Sequence, residues 1–578
     1  MNQPSLAPCQ AAPDSSLAQI APLLRELFGT SCDHVWDGIV AAAEQHKALH
    51  GVTPRPPLDH TANLLITYAD SLQAQGEKPL VTLRRVLTDL VGPAISHVHL
   101  LPVHPSTSDD GFAPVDYGLI DPRLGTWEDL AALGRDRSLM LDFVANHVSA
   151  SSPWVRRWLA REPGFAHCFI ERDPRFDTSA TVRPRTSPLF HAFRRPDGTS
   201  VEAWTTFSAD QLDLNFRDPD TFVRLTQALA NYVALGARMI RLDAIGFVWK
   251  ASGTSSMSLP QTHAVVRVWR AFLDDIAPGV KLVTETNVPA AENQSYFGDG
   301  ANEANLVYQF PLPPLVLHSF LKADATTLSH WAHTVRPPGP NATFLNFLAS
   351  HDGIGLRGVE GILDARELSS LVDGVVANGG LVSERKLANG RSAVYELNTT
   401  FLDALGGPGT EESPEQVAAK GLAAHAIMMA LAGVPATYVH SLFGSSNDPA
   451  AAQRTGIKRR TSRGVLDSDR LGMELVTNPR RSTMFAGLRH LLSTRRRHDQ
   501  FDPFTPHEVI DLGPALFAVR RASSRGGPDL ICLTNVTPEP VTVNLPGRDL
   551  LTGAARSGAP WQVPGYGYVW LLQTRARP

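Results

Sequence analysis

The chain has 578 residues, 43% of them hydrophobic and 19% charged, enough to bury a large core. Its formal net charge of −4 lacks the basic surface that nucleic-acid and acidic-membrane binders need, so neither partner is expected. Four cysteines (Cys9, Cys32, Cys168 and Cys532) lie far apart with no CxxC pair, which suits neither a zinc site nor a disulfide scaffold and fits a reducing, cytoplasmic setting.

Residues 1–60 read as a helical extension that ends in the linker Pro54-Arg55-Pro56-Pro57, and Met1 to Cys9 lack the pattern of a signal peptide. From there strand-like and helix-like segments alternate. A buried strand is expected at 64–68, followed by Leu83, Val86, Leu87 and Leu90 at helical spacing. Further strands are expected at 97–103 and 139–144. Phe222, Leu225, Leu229 and Tyr232 then mark a helix leading into a fourth strand at Met239. Strands at Lys281, 305–309 and Thr343 come next, and a helix opened by Ser413-Pro414 precedes the eighth at 436–441.

Eight strands alternating with helices predict a (β/α)8 barrel over residues 61–500. Two gaps, about 150–215 after the third strand and 355–409 after the seventh, exceed plain connections and are expected to shape a pocket at the strand ends. Short alternating runs at 515–521, 529–535 and 541–545 predict a C-terminal β domain over 501–578. The apolar stretch 422–439 is broken by His425, Gly433 and Pro435, so it is not a membrane span. Arg495-Arg496-Arg497 reads as a solvated helix face.

Polar residues stand at the ends of four of these strands. The run from Asp142 to Asn146-His147 closes the third, Arg241-Leu242-Asp243 the fourth, Glu285 the fifth and His351-Asp352 the seventh. A single aspartate there is more often a helix cap or ion-pair partner. Four together matter, because the carboxyl ends of parallel barrel strands converge on one rim. Two converging carboxylates are the minimum set for breaking a glycosidic bond.

In type, order and strand position, these segments resemble the motifs of the α-amylase family of retaining glycoside enzymes. Gln211-Leu212-Asp213-Leu214-Asn215 resembles a further motif of that family, and the resemblance implies a small inserted domain at about 150–215, after the third strand. The resemblance implies that Asp243 is the nucleophile, Glu285 the general acid/base and Asp352 the transition-state stabiliser. His147, Arg241 and His351 would be ligands of the donor sugar. Arg241 stands two residues before Asp243, on the same side of a strand, where its charge would keep Asp243 ionised. Glu285 would need the reverse, a pKa raised by burial and negative neighbours.

Within the family, Ser108-Asp109-Asp110-Gly111-Phe112, Arg183-Pro184-Arg185, His351-Asp352-Gly353-Ile354-Gly355 and Arg459-Arg460-Thr461-Ser462-Arg463 resemble the sucrose phosphorylase group. The resemblance implies that Asp109 and Arg463 bind outer hydroxyls of the donor glucose, with Phe112 and Phe207 as apolar walls. Where that group usually has Asn, this chain has Ser462. Arg185, with Arg183 second, would bind phosphate, because a guanidinium matches phosphate oxygens bidentately. Asp109-Asp110-Gly111-Phe112, the Thr286-Asn287-Val288-Pro289 run and the amino-terminal extension are most similar to the glucosylglycerate phosphorylase subgroup.

The implied reaction converts 2-O-α-glucosylglycerate and phosphate into α-glucose 1-phosphate and glycerate. It uses a small sugar substrate and inorganic phosphate, with no cofactor or metal. The alternatives are phosphorolysis of sucrose or its 6′-phosphate, a retaining α-glucosidase or transglucosidase, and a non-catalytic sugar-binding protein.

Overall fold

A computed structural model describes residues 16–52, 54–386, 392–406, 412–556 and 560–573. Eight strands form a closed barrel in chain order: β1 (Leu64–Thr67), β2 (His97–Leu100), β3 (Ser138–Val144), β4 (Ala237–Asp243), β5 (Lys281–Thr284), β6 (Leu306–Tyr308), β7 (Thr343–Phe347) and β8 (Val434–Tyr438), with β8 paired back to β1. The pairing is parallel, with Leu64 opposite both His97 and Ala436, and Asp142 opposite Arg241. β1, β5, β7 and β8 are buried along their whole length, as befits strands covered on both faces. The expected (β/α)8 fold is the one the chain adopts.

Two compact units carry the chain. One comprises Met1–Pro57, Leu101–Thr286 and Ser295–Asn305; the other comprises Leu58–Leu100, Asn287–Gln294 and Leu306–Pro578.

In the first unit, the amino-terminal residues form helices Ala21–Phe28 and Cys32–His50. The longer one lies close against helix Pro219–Ala234: a Cβ on Gly38 would meet Val223 at 2.6 Å, so only glycine fits. Helix Pro219–Ala234 starts where the Asp218 carboxylate accepts from Thr221 N–H and proline fills the first turn; it buries Phe222, Leu225, Leu229 and Tyr232. Between β3 and β4 the chain forms helix Pro153–Leu159 and the hairpin Phe190–Arg194 with Ser200–Trp204. It returns by pairing Gln211–Asp213 antiparallel to His147–Ser149.

In the second unit, helix Pro414–Ala430 opens with a capping box between Ser413 and Gln416. The stretch after β7 is more than a loop. It holds helix Ala365–Ala377 and a three-stranded antiparallel sheet of Ile354–Gly355, Ser392–Asn398 and Leu381–Lys386. A six-stranded sheet and a two-stranded one, Val541–Val543 with Trp561–Val563, form the carboxyl-terminal region, and Ala518, Leu533, Val563 and Leu571 pack in one core.

Three expectations are corrected. Residues Val439–Leu442 form a helical turn, so the eighth strand lies earlier, at Val434–Tyr438. β2 stops at Leu100 and leaves Leu101–Val103 outside the strand. The arginine run is not simply a solvated face, since Arg495 is 0% exposed. Its guanidinium donates to the carbonyls of His60, Ala62, Gly433 and Phe501 and to Asn63 Oδ1. A buried charge must find partners, and here backbone oxygens supply them.

Among the described residues no helix is long and apolar enough to cross a membrane, and no group of three His, Cys, Asp or Glu side chains could hold a metal ion.

Candidate active site

Strand alternation sets Arg241 and Asp243 on the same side of β4. Arg241 is 1% exposed. Its Nη1 donates to Asp142, the register partner on β3, and to Asp243 Oδ1 at 2.8 Å. Nη2 lies 3.8 Å from Glu285 Oε2. One guanidinium thus reaches three carboxyl groups, and both expected catalytic acids meet at it. Asp142 opened the third-strand motif without a role; the structure gives it that of fixing Arg241. The available signal was its place opposite Arg241 in a parallel pair.

Immediately after Asp243 the backbone turns into the left-handed region, with φ of 50° at Ala244. A non-glycine residue there costs on the order of 1–2 kcal/mol. The turn aims Ala244 N–H at Glu285 Oε2, 3.1 Å away. The expected negative surroundings of Glu285 are therefore accompanied by an N–H donor and a guanidinium.

His147 is 2% exposed, and its Nε2 lies 2.8 Å from the Phe112 carbonyl oxygen. Gln211 Nε2 donates to Asp109 Oδ2 and to that same carbonyl, both at 3.1 Å. Asp109 and Asp110 are both left-handed, with φ of 53° and 49°. The Phe112 ring faces the Arg241 guanidinium at 5.6 Å, and the Phe207 ring lies 5.1 Å from His147. Asp109, Phe112, His147, Phe207, Arg241, Asp243 and Glu285 all belong to the first unit. Burial pushes the His147 imidazole below its ordinary pKa, and Lys250 adds to the push while Asp213 and Asp109 oppose it.

In the second unit, His351 and Asp352 follow β7. Arg459 Nη1 contacts Asp352 Oδ1 at 2.5 Å, while its Nε and Nη2 grip Glu396 at 2.8 and 2.6 Å. Arg463 donates from Nε to the His351 carbonyl at 2.6 Å, and its Nη2 is 3.8 Å from Asp352 Oδ1. Tyr68, just past β1, meets the His351 ring edge-on at 5.8 Å. Gly353 has no room for a side chain, because a Cβ would meet the Leu397 carbonyl oxygen at 2.5 Å. The motif containing Arg459 was visible in the sequence, but its bridge from Asp352 to Glu396 was not. Ser462 turns its hydroxyl back to the Arg459 carbonyl and leaves Arg463 anchored through the His351 carbonyl.

The expected phosphate-binding residues lie in the loop between β3 and β4. Arg183 is exposed and donates to the Ser187 carbonyl within that loop, and Arg185 is half-buried two residues on.

Residues 90–353 match the family described as alpha amylase, catalytic domain. A glucosylglycerate phosphorylase from Allomeiothermus silvanus is 43% identical over 510 residues, spanning 88% of this chain and 90% of that protein. The chain belongs to the α-amylase family. A second glucosylglycerate phosphorylase, from Escherichia coli, is 38% identical across 94% of this chain and 99% of its own. A solved sucrose 6F-phosphate phosphorylase from Thermoanaerobacter thermosaccharolyticum shares the fold, with a TM-score of 0.72 at 24% identity, covering 87% of this chain and 98% of that one.

Proposed function

We propose that this α-amylase family member is a retaining α-glucoside phosphorylase acting on 2-O-α-glucosylglycerate. Asp243 attacks the anomeric carbon while Glu285 protonates the departing glycerate oxygen, leaving a glucosyl ester on Asp243. Glu285, now a carboxylate, takes a proton from the incoming phosphate. A phosphate oxygen displaces Asp243, and two inversions yield α-glucose 1-phosphate. Asp352 acts as the transition-state stabiliser. Asp109, His147, Arg241, His351 and Arg463 bind the donor glucose between Phe112 and Phe207, and Arg185 with Arg183 receives phosphate.

The observation that carries this reading is the meeting of Asp243 and Glu285 at the single Arg241 guanidinium. The likeness to two glucosylglycerate phosphorylases over most of both chains supports the choice of substrate. The test is phosphate release from α-glucose 1-phosphate with glycerate, glycerol, fructose, fructose 6-phosphate or no acceptor. Release that depends on glycerate is expected. Equal release without acceptor would make the chain a hydrolase, and release only with fructose or its phosphate would move it to the sucrose-type reactions.

A further inference from the structure

Lys250 lies just beyond the turn that follows β4 and is 3% exposed. An ammonium has three hydrogens and no acceptor. Here they go to Asp213 Oδ2 at 2.7 Å, Asn146 Oδ1 at 3.0 Å and the Phe247 carbonyl. Asp213 is 0% exposed and also accepts from Thr206 N–H at 2.7 Å, Thr206 Oγ at 2.6 Å and Asn146 Nδ2 at 3.0 Å.

These contacts leave Asn146 one orientation. Its oxygen must face the ammonium, which only donates, and its nitrogen must face the carboxylate, which only accepts. The second Nδ2 hydrogen then meets His147 Nδ1, 3.3 Å away. Nδ1 therefore accepts, and the ring proton resides on Nε2, where it reaches the Phe112 carbonyl at 2.8 Å; Gln211 Nε2, 3.1 Å from the same ring nitrogen, gives its two hydrogens to Asp109 Oδ2 and to that carbonyl.

We propose that Lys250 is a positioning residue whose charge, acting through Asn146 and Asp213, holds His147 as the Nε2–H tautomer. The proposal rests on the reading above that His147 binds the donor glucose. It adds the form in which His147 stands at that site, neutral with its one hydrogen on Nε2. With both the ammonium and the carboxylate gone, the Asn146 amide is free to turn, its oxygen can face Nδ1, and the proton moves to the wrong nitrogen. The same Asp213 anchor holds Thr206, the residue before Phe207, so one buried lysine braces two walls of the glucose site. Burial lowers the pKa of His147, so a neutral imidazole is the form on which this arrangement acts, while at Lys250 the Asp213 carboxylate opposes the same effect of burial.

The decisive measurement is nitrogen NMR of the full chain carrying ¹⁵N-histidine, with His147 assigned by the signals lost in His147→Gln. The wild type is expected to display the Nε2–H tautomer at neutral pH, and an Nδ1–H tautomer would overturn the proposal. Lys250→Met keeps the stem and removes the charge, while Lys250→Met/Asp213→Asn also removes the carboxylate that would otherwise be left unpaired. The double variant is expected to show mixed tautomers and a KM for α-glucose 1-phosphate raised about tenfold, with kcat within about threefold. Unchanged tautomer and unchanged KM in a folded variant would overturn the proposal. Should neither variant fold, an Nδ1–H tautomer in the wild type would still overturn the proposal. Because the spectrum requires no turnover, a failed phosphorolysis assay would remove the proposed function without altering this reading.

Discussion

The polar cluster of the first unit and that of the second are built on opposite plans. Around β4 and β5, one buried guanidinium, Arg241, serves Asp142, Asp243 and Glu285. After β7, two guanidinia, Arg459 and Arg463, converge on Asp352, whose side chain is 28% exposed. The first plan makes a single cation the keystone of several acids. The second divides the task, so loss of one arginine leaves another beside Asp352. Under the proposed roles, the acids that form and break bonds gain most from a rigid, desolvated partner, whereas Asp352, which stabilises without bonding, tolerates a looser grip.

The sharpest way to break this comparison is Asp243→Asn. We expect turnover to fall by roughly 10⁴-fold or more with the circular dichroism spectrum retained; unchanged turnover would reject Asp243 as nucleophile. Arg241→Met comes next, because it leaves Asp142 buried with its cation removed. It is expected to cost about 3–5 kcal/mol in denaturant titration as well as activity. Arg459→Met should be milder, lowering kcat/KM roughly 10–100-fold, the equivalent of one charge-assisted contact. If the two arginine variants were equally destabilised, the contrast between the plans would fail.

Acid should weaken the second unit through its buried histidines. Burial pushes His425 and His440 down to about 4 and His507 to about 3, from an ordinary value of 6.5. His507 accepts from Ala432 N–H on Nδ1 and faces the Ala332 carbonyl with Nε2, which leaves no place for a second proton. Because the unfolded chain takes protons that the folded one refuses, this stability is intact above pH 6.5 and is lost as pH falls toward 4. At pH 5 the loss is on the order of 1–2 kcal/mol per histidine, measurable by hydrogen exchange in the peptides that contain them. The smallest effect is expected from Ser462→Asn, a change of no more than about threefold in KM, since Arg463 hangs from the His351 carbonyl rather than from this side chain.

Much of the fold was readable because its barrel strands are short apolar runs punctuated by helices of regular spacing. The eighth strand was read too late because Val439–Leu442, a short apolar run, carries no period that separates strand from helix. At the site, carboxylates and histidines announced themselves through their positions at strand ends. The residues that brace them did not. Asp142 faces Arg241 only through strand register, Arg459 reaches Glu396 across 63 positions, and Lys250 reaches Asn146 across 104. Nothing local distinguishes a buried lysine from a solvated one. The same blindness misread Arg495, whose three-arginine context suggested a surface.

Arg495 has a consequence for how the protein is made. It gathers the carbonyls of His60 and Ala62, ahead of β1, together with that of Gly433, ahead of β8, across as many as 435 positions. A nascent chain leaving the ribosome therefore cannot complete this seam between its first and last barrel strands until Arg495 has been translated. Until then β1 must wait with an open edge, which is the period when a chaperone would be of most use and a truncated product most prone to aggregate.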